Sequence, residues 1–371
     1  MLASTLGVVV SSVIAVGLLL LAPGPKGFDK DSCKRLEESL GREVFGQTFA
    51  NSQFVSAVCD HLWEEKPLKP LVMSIHGPPG VGKSFSHFVA ARALYNVTTS
   101  RASDCPGHDC GGYRVVYGLD YTLADREEQS EHLVRNIMDH LRTHADSVVV
   151  IEEYDKLDCK SRGVLKQIFD KGFALNVTMQ RSIFLLESNT GYGKIAEALG
   201  GVGGRQEDVD AEKLQYTLKN MMFNLWQRDA CEERVDTVKA LSLIDMFVPY
   251  FPLNKEAITR VIDKSIQKRV EWVNRERQSG TKAAKAVSVR VSADVLDFLC
   301  GKIEWDGVYA VEGAKEVQTV IRRHVFGLLY GLSDPGTGAG GDDDEDLDFR
   351  LVMDEDDKRL ALGADKERGT V

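Results

Sequence analysis

Gly77-Pro-Pro-Gly-Val-Gly-Lys-Ser84, entered from the apolar run Leu71-Val-Met-Ser-Ile75, decides the reading of this chain. The run predicts a short buried strand, and Phe85 to Leu94 predicts the helix that follows. Strand, GxxxxGKS and helix in that order is the context of a phosphate-binding loop. Gly77, Pro78, Pro79, Gly80, Val81 and Gly82 would form the cradle, its glycines letting backbone N–H groups turn inward onto phosphate oxygens, and the helix N-terminus adds the positive end of its dipole. Lys83 would reach the β- and γ-phosphates, the Ser84 hydroxyl would ligate Mg²⁺, and Phe85 would follow directly beneath the nucleotide. A glycine-rich surface turn is the competing reading, and the two correct flanks weigh against it.

The 371 residues are enough for one large domain and a smaller one. The net charge of −10 is concentrated at the end, because thirteen Asp/Glu against five Lys/Arg lie from Ser333 onward. The remainder is nearly neutral and has no broad basic surplus, so nucleic acid is not an expected partner. Leu2 to Ala22 is uncharged and apolar, about the length that spans a bilayer, and reads as a membrane segment or a long signal h-region. Lys26, Lys30, Lys34 and Arg35 after it would hold the body on the cytosolic side by the positive-inside rule. The sequons Asn96-Val-Thr98 and Asn176-Val-Thr178 point the other way. Of the seven cysteines, Cys105-Pro-Gly-His-Asp-Cys110 is the suggestive cluster. With His108 it offers three zinc ligands and lacks a fourth, so a local disulfide is favoured over a metal site. An odd count leaves at least one thiol unpaired.

Further along, Tyr113–Tyr117, Val148–Ile151 and Ile183–Leu186 read as strands between amphipathic helices, which predicts an α/β fold with a doubly wound parallel sheet. From Asn254 the pattern is helical, with one helix through Ile258–Val270, one over Val291–Leu299 and one over Val317–Leu328. The expected organisation is a hydrophobic segment over 1–25, a large nucleotide-binding domain over 26–253 and a small helical domain over 254–332. An acidic tail over 333–371 is expected to be disordered.

Hydrolysis needs acids beyond the loop. Glu152-Glu153 closes the strand Val148–Ile151, the first placed to hold the Mg²⁺ shell and the second to act as general base on the attacking water. Asn189 ends the Ile183–Leu186 run and is the candidate that orients this water and senses the γ-phosphate.

Taken together, Val44-Phe-Gly-Gln-Thr-Phe-Ala50, Ile151-Glu-Glu-Tyr-Asp-Lys-Leu157, Phe184-Leu-Leu-Glu-Ser-Asn189 and Leu243-Ile-Asp-Met-Phe-Val-Pro-Tyr-Phe-Pro-Leu253 resemble the torsins, over roughly Leu36 to Leu332. Torsins are Clp-related AAA+ ATPases of the endoplasmic reticulum lumen and nuclear envelope. The resemblance implies ATP and Mg²⁺ as cofactors, and adds Val44 and Phe45 to the nucleotide-binding set. It makes Lys315 of Glu312-Gly-Ala-Lys315 a sensor that reaches the phosphates from the small domain. Leu243 stands where Clp proteins carry an arginine finger, and torsins likewise lack it; Arg228 and Arg234 lie out of register. Such a loss costs about 10³–10⁵ in phosphoryl transfer. The resemblance therefore implies a membrane-anchored activator that donates the arginine, membrane association through residues 2–22, and a ring or filament of like chains. Three departures mark this sequence. Glu152 replaces the usual Asp, Ser84 replaces the Asn of many torsins, and Ala314 and Val261 replace the cysteine pair linked to redox control, which is not expected here. The alternatives are an ATP-gated scaffold that does not hydrolyse, and a Clp-type unfoldase with Tyr113 or Tyr117 as its pore aromatic.

Overall fold

Five parallel strands form the central sheet of the computed structural model, which describes residues 27–97, 105, 107–122, 127–174, 176–229, 233–280, 285–333, 347–353 and 359–364. The apolar stretch 2–22 lies outside these residues, and among them no helix is long and apolar enough to cross a membrane. Helices α1 (Ser32–Glu43) and α2 (Thr48–Trp63) lead into β1 (Leu71–His76) and α3 (Lys83–Leu94). Then come β2 (Tyr113–Tyr117), α4 (Glu127–Thr143), β3 (Val148–Glu152), α5 (Cys159–Asp170), and the hairpin β4 (Phe173–Ala174) and β5 (Val177–Thr178). They are followed by β6 (Ile183–Ser188), α6 (Tyr192–Gly201), α7 (Ala211–Arg228), α8 (Arg234–Ser242) and β7 (Met246–Pro249). The strand order is β2-β3-β6-β1-β7.

The continuous apolar runs are explained by burial on both faces of the sheet. Met73, Ile75, Val148, Val150, Ile183 and Leu185 face one core with α1 and α3. Val72, Val149, Ile151, Phe184 and Leu186 face a second core with α4 to α7. Because strand side chains alternate, the polar residues ending each strand are sorted by the same rule. Glu152 and Glu187 continue the rows on the α3 face, whereas Ser74, His76 and Ser188 belong to the other.

Beyond the sheet lie α9 (Lys255–Gly280), β8 (Val287–Val291), α10 (Ala293–Cys300), the hairpin β9 (Trp305–Asp306) and β10 (Tyr309–Ala310), α11 (Lys315–His324) and α12 (Phe326–Tyr330). This mainly helical part also carries a three-stranded sheet, whose central strand and one edge strand come from the tail. β11 (Leu347–Met353) pairs parallel to β8, and β12 (Leu360–Ala364) antiparallel to β11. The expectation of disorder over 333–371 is corrected for these two stretches. The average acidity of the tail hid the alternation Leu347, Phe349, Leu351, Met353, of which Leu351 is fully buried. Likewise Val287-Ser-Val-Arg-Val291 alternates as a strand, so the helix read from Val291 begins only at Ala293.

Disulfides join Cys33 of α1 to Cys59 of α2, and Cys105 to Cys110, the local pairing favoured above over zinc. Cys159 is also disulfide-bonded, and Cys300 is a free, buried thiol. Truncating Leu351 to Ala is expected to lower unfolding free energy by about 2–4 kcal/mol, the cost of a cavity in a closed core. Denaturant unfolding checks this, and an unchanged midpoint would show that the tail strand is not docked.

Candidate nucleotide site

The loop after β1 is held in shape from outside itself. Gly80 has φ +75°, and a Cβ there would stand 2.0 Å from the Glu312 carbonyl oxygen. The Gly80 carbonyl accepts from the Ala314 N–H at 2.8 Å, and a Cβ on Gly313 would stand 2.6 Å from that same oxygen. Only glycines allow this approach, which sets the loop directly against the N-terminus of α11 and Lys315. Gln47 clamps the other side. It is fully buried, donates to the carbonyls of Val81 (3.1 Å) and Phe251 (2.8 Å), and accepts from the Phe251 N–H (2.9 Å). Two of the stretches quoted for the torsin likeness thus meet on the loop. Asp245 ties in a third contact by accepting from the Val72 N–H and from Lys69.

Lys83 is buried and donates to the carbonyls of Gly77 (3.0 Å) and Pro78 (2.9 Å) and to Asn189 Oδ1 (2.9 Å). Burial pulls its pKa down, with the Glu187 carboxylate opposing and Lys315 adding to the fall. The structure therefore brings the loop lysine and the candidate water-orienting asparagine into contact. Asn189 follows β6, which lies between β1 and β3. The acidic pair is accordingly one strand removed from the loop strand. Glu152 ends β3 on the α3 face, and Glu153 takes a left-handed conformation (φ 53°) that turns the chain out of the strand. Gly118 must pass beneath this turn, since a Cβ there would stand 2.4 Å from the Glu153 carbonyl oxygen. Lys315 is exposed beside Gly80, with no ion pair or side-chain hydrogen bond among the described residues.

Two site residues were not anticipated. The Ser84 hydroxyl donates to both oxygens of Glu187 (3.0 and 2.9 Å) and not to Glu152. His87, one turn after Ser84 on α3, stands between the acids, its Nε2 3.5 Å from Glu152 and 3.3 Å from Glu187, while Nδ1 lies 2.6 Å from the Tyr113 hydroxyl. Burial disfavours the imidazolium, but the Glu152 and Glu187 carboxylates overcome it and raise the His87 pKa. Burial likewise pushes Glu187 up, and His87, Lys83 and the Ser84 hydroxyl together hold it below the usual carboxylate range. Period-two alternation through Ile183-Phe-Leu-Leu-Glu-Ser188 was the signal that could have found Glu187, and Ser84 plus three was the one for His87. Tyr113, named as a pore aromatic, is buried against His87 and cannot serve as one; Tyr117 is exposed at the end of β2.

An apolar cleft opens beside the loop, lined by Val44, Phe45, Val81, Gly82, Phe85, Leu253, Val261 and Ala314. The Arg260 guanidinium lies 4.4 Å from the centre of the Phe45 ring, and the Lys268 ammonium 4.8 Å from that of Phe85. A flat apolar cleft next to a cationic phosphate cradle fits a nucleotide base and its phosphates. Ser84, Glu152 and Glu187 are an all-oxygen set suited to Mg²⁺.

The family model for "ATPase family associated with various cellular activities (AAA)" matches residues 73–209, and the Torsin family model matches residues 27–105. The chain is thus similar to the AAA ATPases over the central sheet and to the torsins over the entry helices and the loop. A torsin-like protein of Drosophila melanogaster is 24% identical over 299 residues, covering 78% of this chain and 81% of that protein. One of Caenorhabditis elegans is 27% identical over 239 residues, covering 63% and 64%. The doubly wound α/β fold expected from the loop and strand order is the one present, and the AAA match spans the phosphate loop and the acidic pair.

On the opposite face of the sheet a buried polar chain underlies the asparagine. The Ser74 hydroxyl lies 2.7 Å from both His76 Nε2 and the Tyr154 hydroxyl, His76 Nδ1 lies 3.3 Å from the Thr190 carbonyl, and the Ser188 hydroxyl donates to Asp155 (2.6 Å). Burial pulls the His76 pKa from 6.5 to about 4. His76 is therefore neutral when folded, and its contribution is complete above pH 6.5 and lost as pH falls towards 4. We expect this histidine alone to remove about 2 kcal/mol of stability between pH 7 and pH 5. Unfolding curves at the two pH values check this, because His76→Asn should flatten that part of the dependence.

Proposed function

We propose that this torsin-like AAA protein hydrolyses ATP in the presence of Mg²⁺, slowly alone and faster when a partner completes the site. The observation that carries this reading is the convergence of Lys83 on Asn189 at 2.9 Å, with the acidic pair Glu152-Glu153 one strand away. Bound Mg·ATP would supply the electrophilic phosphorus and the metal that neutralises its developing charge. Lys83 and Lys315 would bind phosphate oxygens, Ser84 and Glu152 would hold the metal, Asn189 would position a water, and Glu153 would take its proton. Val44, Phe45 and Phe85 would enclose the base.

Support for a partner comes from Leu243. Its side chain packs against the second core and its carbonyl accepts from Lys69, so no cation projects from this position. Arg234 is turned instead over the Phe223 ring. An arginine from another chain would fill the role, and we assign it to a membrane-anchored activator. The likeness supports a chaperone-like remodelling role at the endoplasmic reticulum or nuclear envelope. Two further features support a lumenal place. Three of the structure's features are disulfides or disulfide-bonded cysteines, which persist in oxidising compartments. Asn176 and Thr178 of the second sequon are exposed at the β4–β5 turn. Residues 2–22 would supply the membrane association.

Glu153→Gln in the full-length chain provides the test. It should keep ATP binding, lower turnover by about a hundredfold or more, and accumulate an ATP-dependent partner complex. A variant that behaves as wild type would indicate the scaffold reading, and rapid turnover by the wild-type chain alone would overturn the need for an activator.

A further inference from the structure

We propose that His87, Glu152 and Glu187 form a binding site for a tetrahedral divalent transition metal, Zn²⁺ in the first place, which the nucleotide-free protein takes up and which excludes Mg·ATP. One ligand atom from each of the three residues lies within 4.8 Å of the others. From His87 Nε2 the carboxylate oxygens stand at 3.5 Å (Glu152) and 3.3 Å (Glu187). A tetrahedral zinc site with bonds of about 2.0–2.1 Å places its ligands roughly 3.3–3.4 Å apart. An octahedral Mg²⁺ site with bonds of about 2.1 Å would need roughly 3.0 Å between neighbours. The two spacings from His87 are the wider ones.

A second observation is independent of this spacing. The His87 side chain is only 3% exposed, yet its Nε2 makes no hydrogen bond, its polar neighbours being the two carboxylates at 3.5 and 3.3 Å. A buried nitrogen left in that state, with a carboxylate oxygen of each acid within 3.5 Å, has the form of a ligand awaiting an ion. The other ring nitrogen is already fixed by the Tyr113 hydroxyl at 2.6 Å, the outer contact that orients a metal-ligating histidine. The ring makes the site selective, since imidazole suits Zn²⁺ and its neighbours while Mg²⁺ prefers oxygen. Two carboxylates balance the charge of the ion, and three protein ligands leave a fourth position for water.

Exclusion of Mg·ATP rests on the nucleotide-site reading above. Glu187 Oε1 accepts from Ser84 at 3.0 Å, so a metal on Oε2 leaves the Ser84 hydroxyl engaged. The same metal occupies Glu152. The two groups that would hold the nucleotide's Mg²⁺ are then both taken.

Co²⁺ titration of the metal-free, full-length chain without nucleotide tests the site. We expect the visible bands of four-coordinate Co²⁺ at one equivalent, displaced by Zn²⁺. His87→Gln and Glu152→Gln should each weaken Co²⁺ binding at least about tenfold, and Tyr113→Phe should weaken it less while keeping all three ligands. Circular dichroism establishes that each variant is folded, and Glu152→Gln, at the partly buried strand end, serves if His87→Gln is not. Bands absent from the wild type, or retained in folded His87→Gln and Glu152→Gln, overturn the site, as does their loss on replacing the histidine pair His140 and His144 at the end of α4. In a separate arm, Zn²⁺ should raise the apparent Kd for Mg·ATP in the wild type. Co²⁺ bands with unaltered Mg·ATP affinity would overturn exclusion, and Co²⁺ bands in a protein that binds no Mg·ATP would refute the nucleotide reading while the metal site stands.

Discussion

The hydrogen bond from the Ala314 N–H to the Gly80 carbonyl joins the phosphate loop to the start of α11, and the site depends on it. The loop has little side-chain packing of its own, so its conformation is set by what presses on it. Gly313 approaches from one side and Gln47, with its three buried hydrogen bonds, from another. The Gly313 side of this hold exists only while the large and small parts of the chain are in contact, whereas the Gln47 clamp lies within the large part. Any movement of α11 is therefore also a movement of the loop and of Lys315, the cation that the small part presents. One peptide–peptide contact thus ties the position of α11 to the conformation of the loop.

How much of this was legible depended on whether residue order or residue placement carried the information. Gly77–Ser84 announced itself by spacing, and the runs Val148–Ile151 and Ile183–Leu186 by burial on both faces of a parallel sheet. The order of strands was not in any local pattern, so the insertion of β6 between β1 and β3 came only with the fold. Glu187 was passed over because an acid at a strand end reads as solvent-facing, although alternation from Ile183 and Leu185 assigns it to the α3 face. His87 lacked a motif, and its meaning comes from the two carboxylates that the sheet delivers to it. In the tail, net charge outweighed a four-residue apolar alternation that pairing with β8 makes decisive. Composition averaged away what register restores.

The sheet also separates two kinds of chemistry by parity. On the α3 face lie Lys83, Ser84, His87, Glu152 and Glu187, a charged set whose pKa shifts arise from burial opposed by mutual attraction. On the other face lie Ser74, His76, Tyr154 and Ser188, an uncharged set linked to the asparagine through Thr190. Asn189 sits at the edge where the two meet. Its position is thus fixed from the neutral side while it bonds to the charged side, an arrangement that keeps its amide from following every change in Lys83.

The partners of β1 have a bearing on how the chain is made. Both strands that hydrogen-bond to β1, β6 and β7, come later in the chain, and β7 ends at Pro249. During synthesis the loop-bearing strand waits unpaired while α3, β2 and β3 emerge, and its second edge closes only after α8 has been made. Non-local pairing of this kind is slow and leaves an apolar edge open to wrong partners. The cysteine bridge between α1 and α2 falls entirely before that strand, so the entry helices can be locked in place while β1 is still waiting.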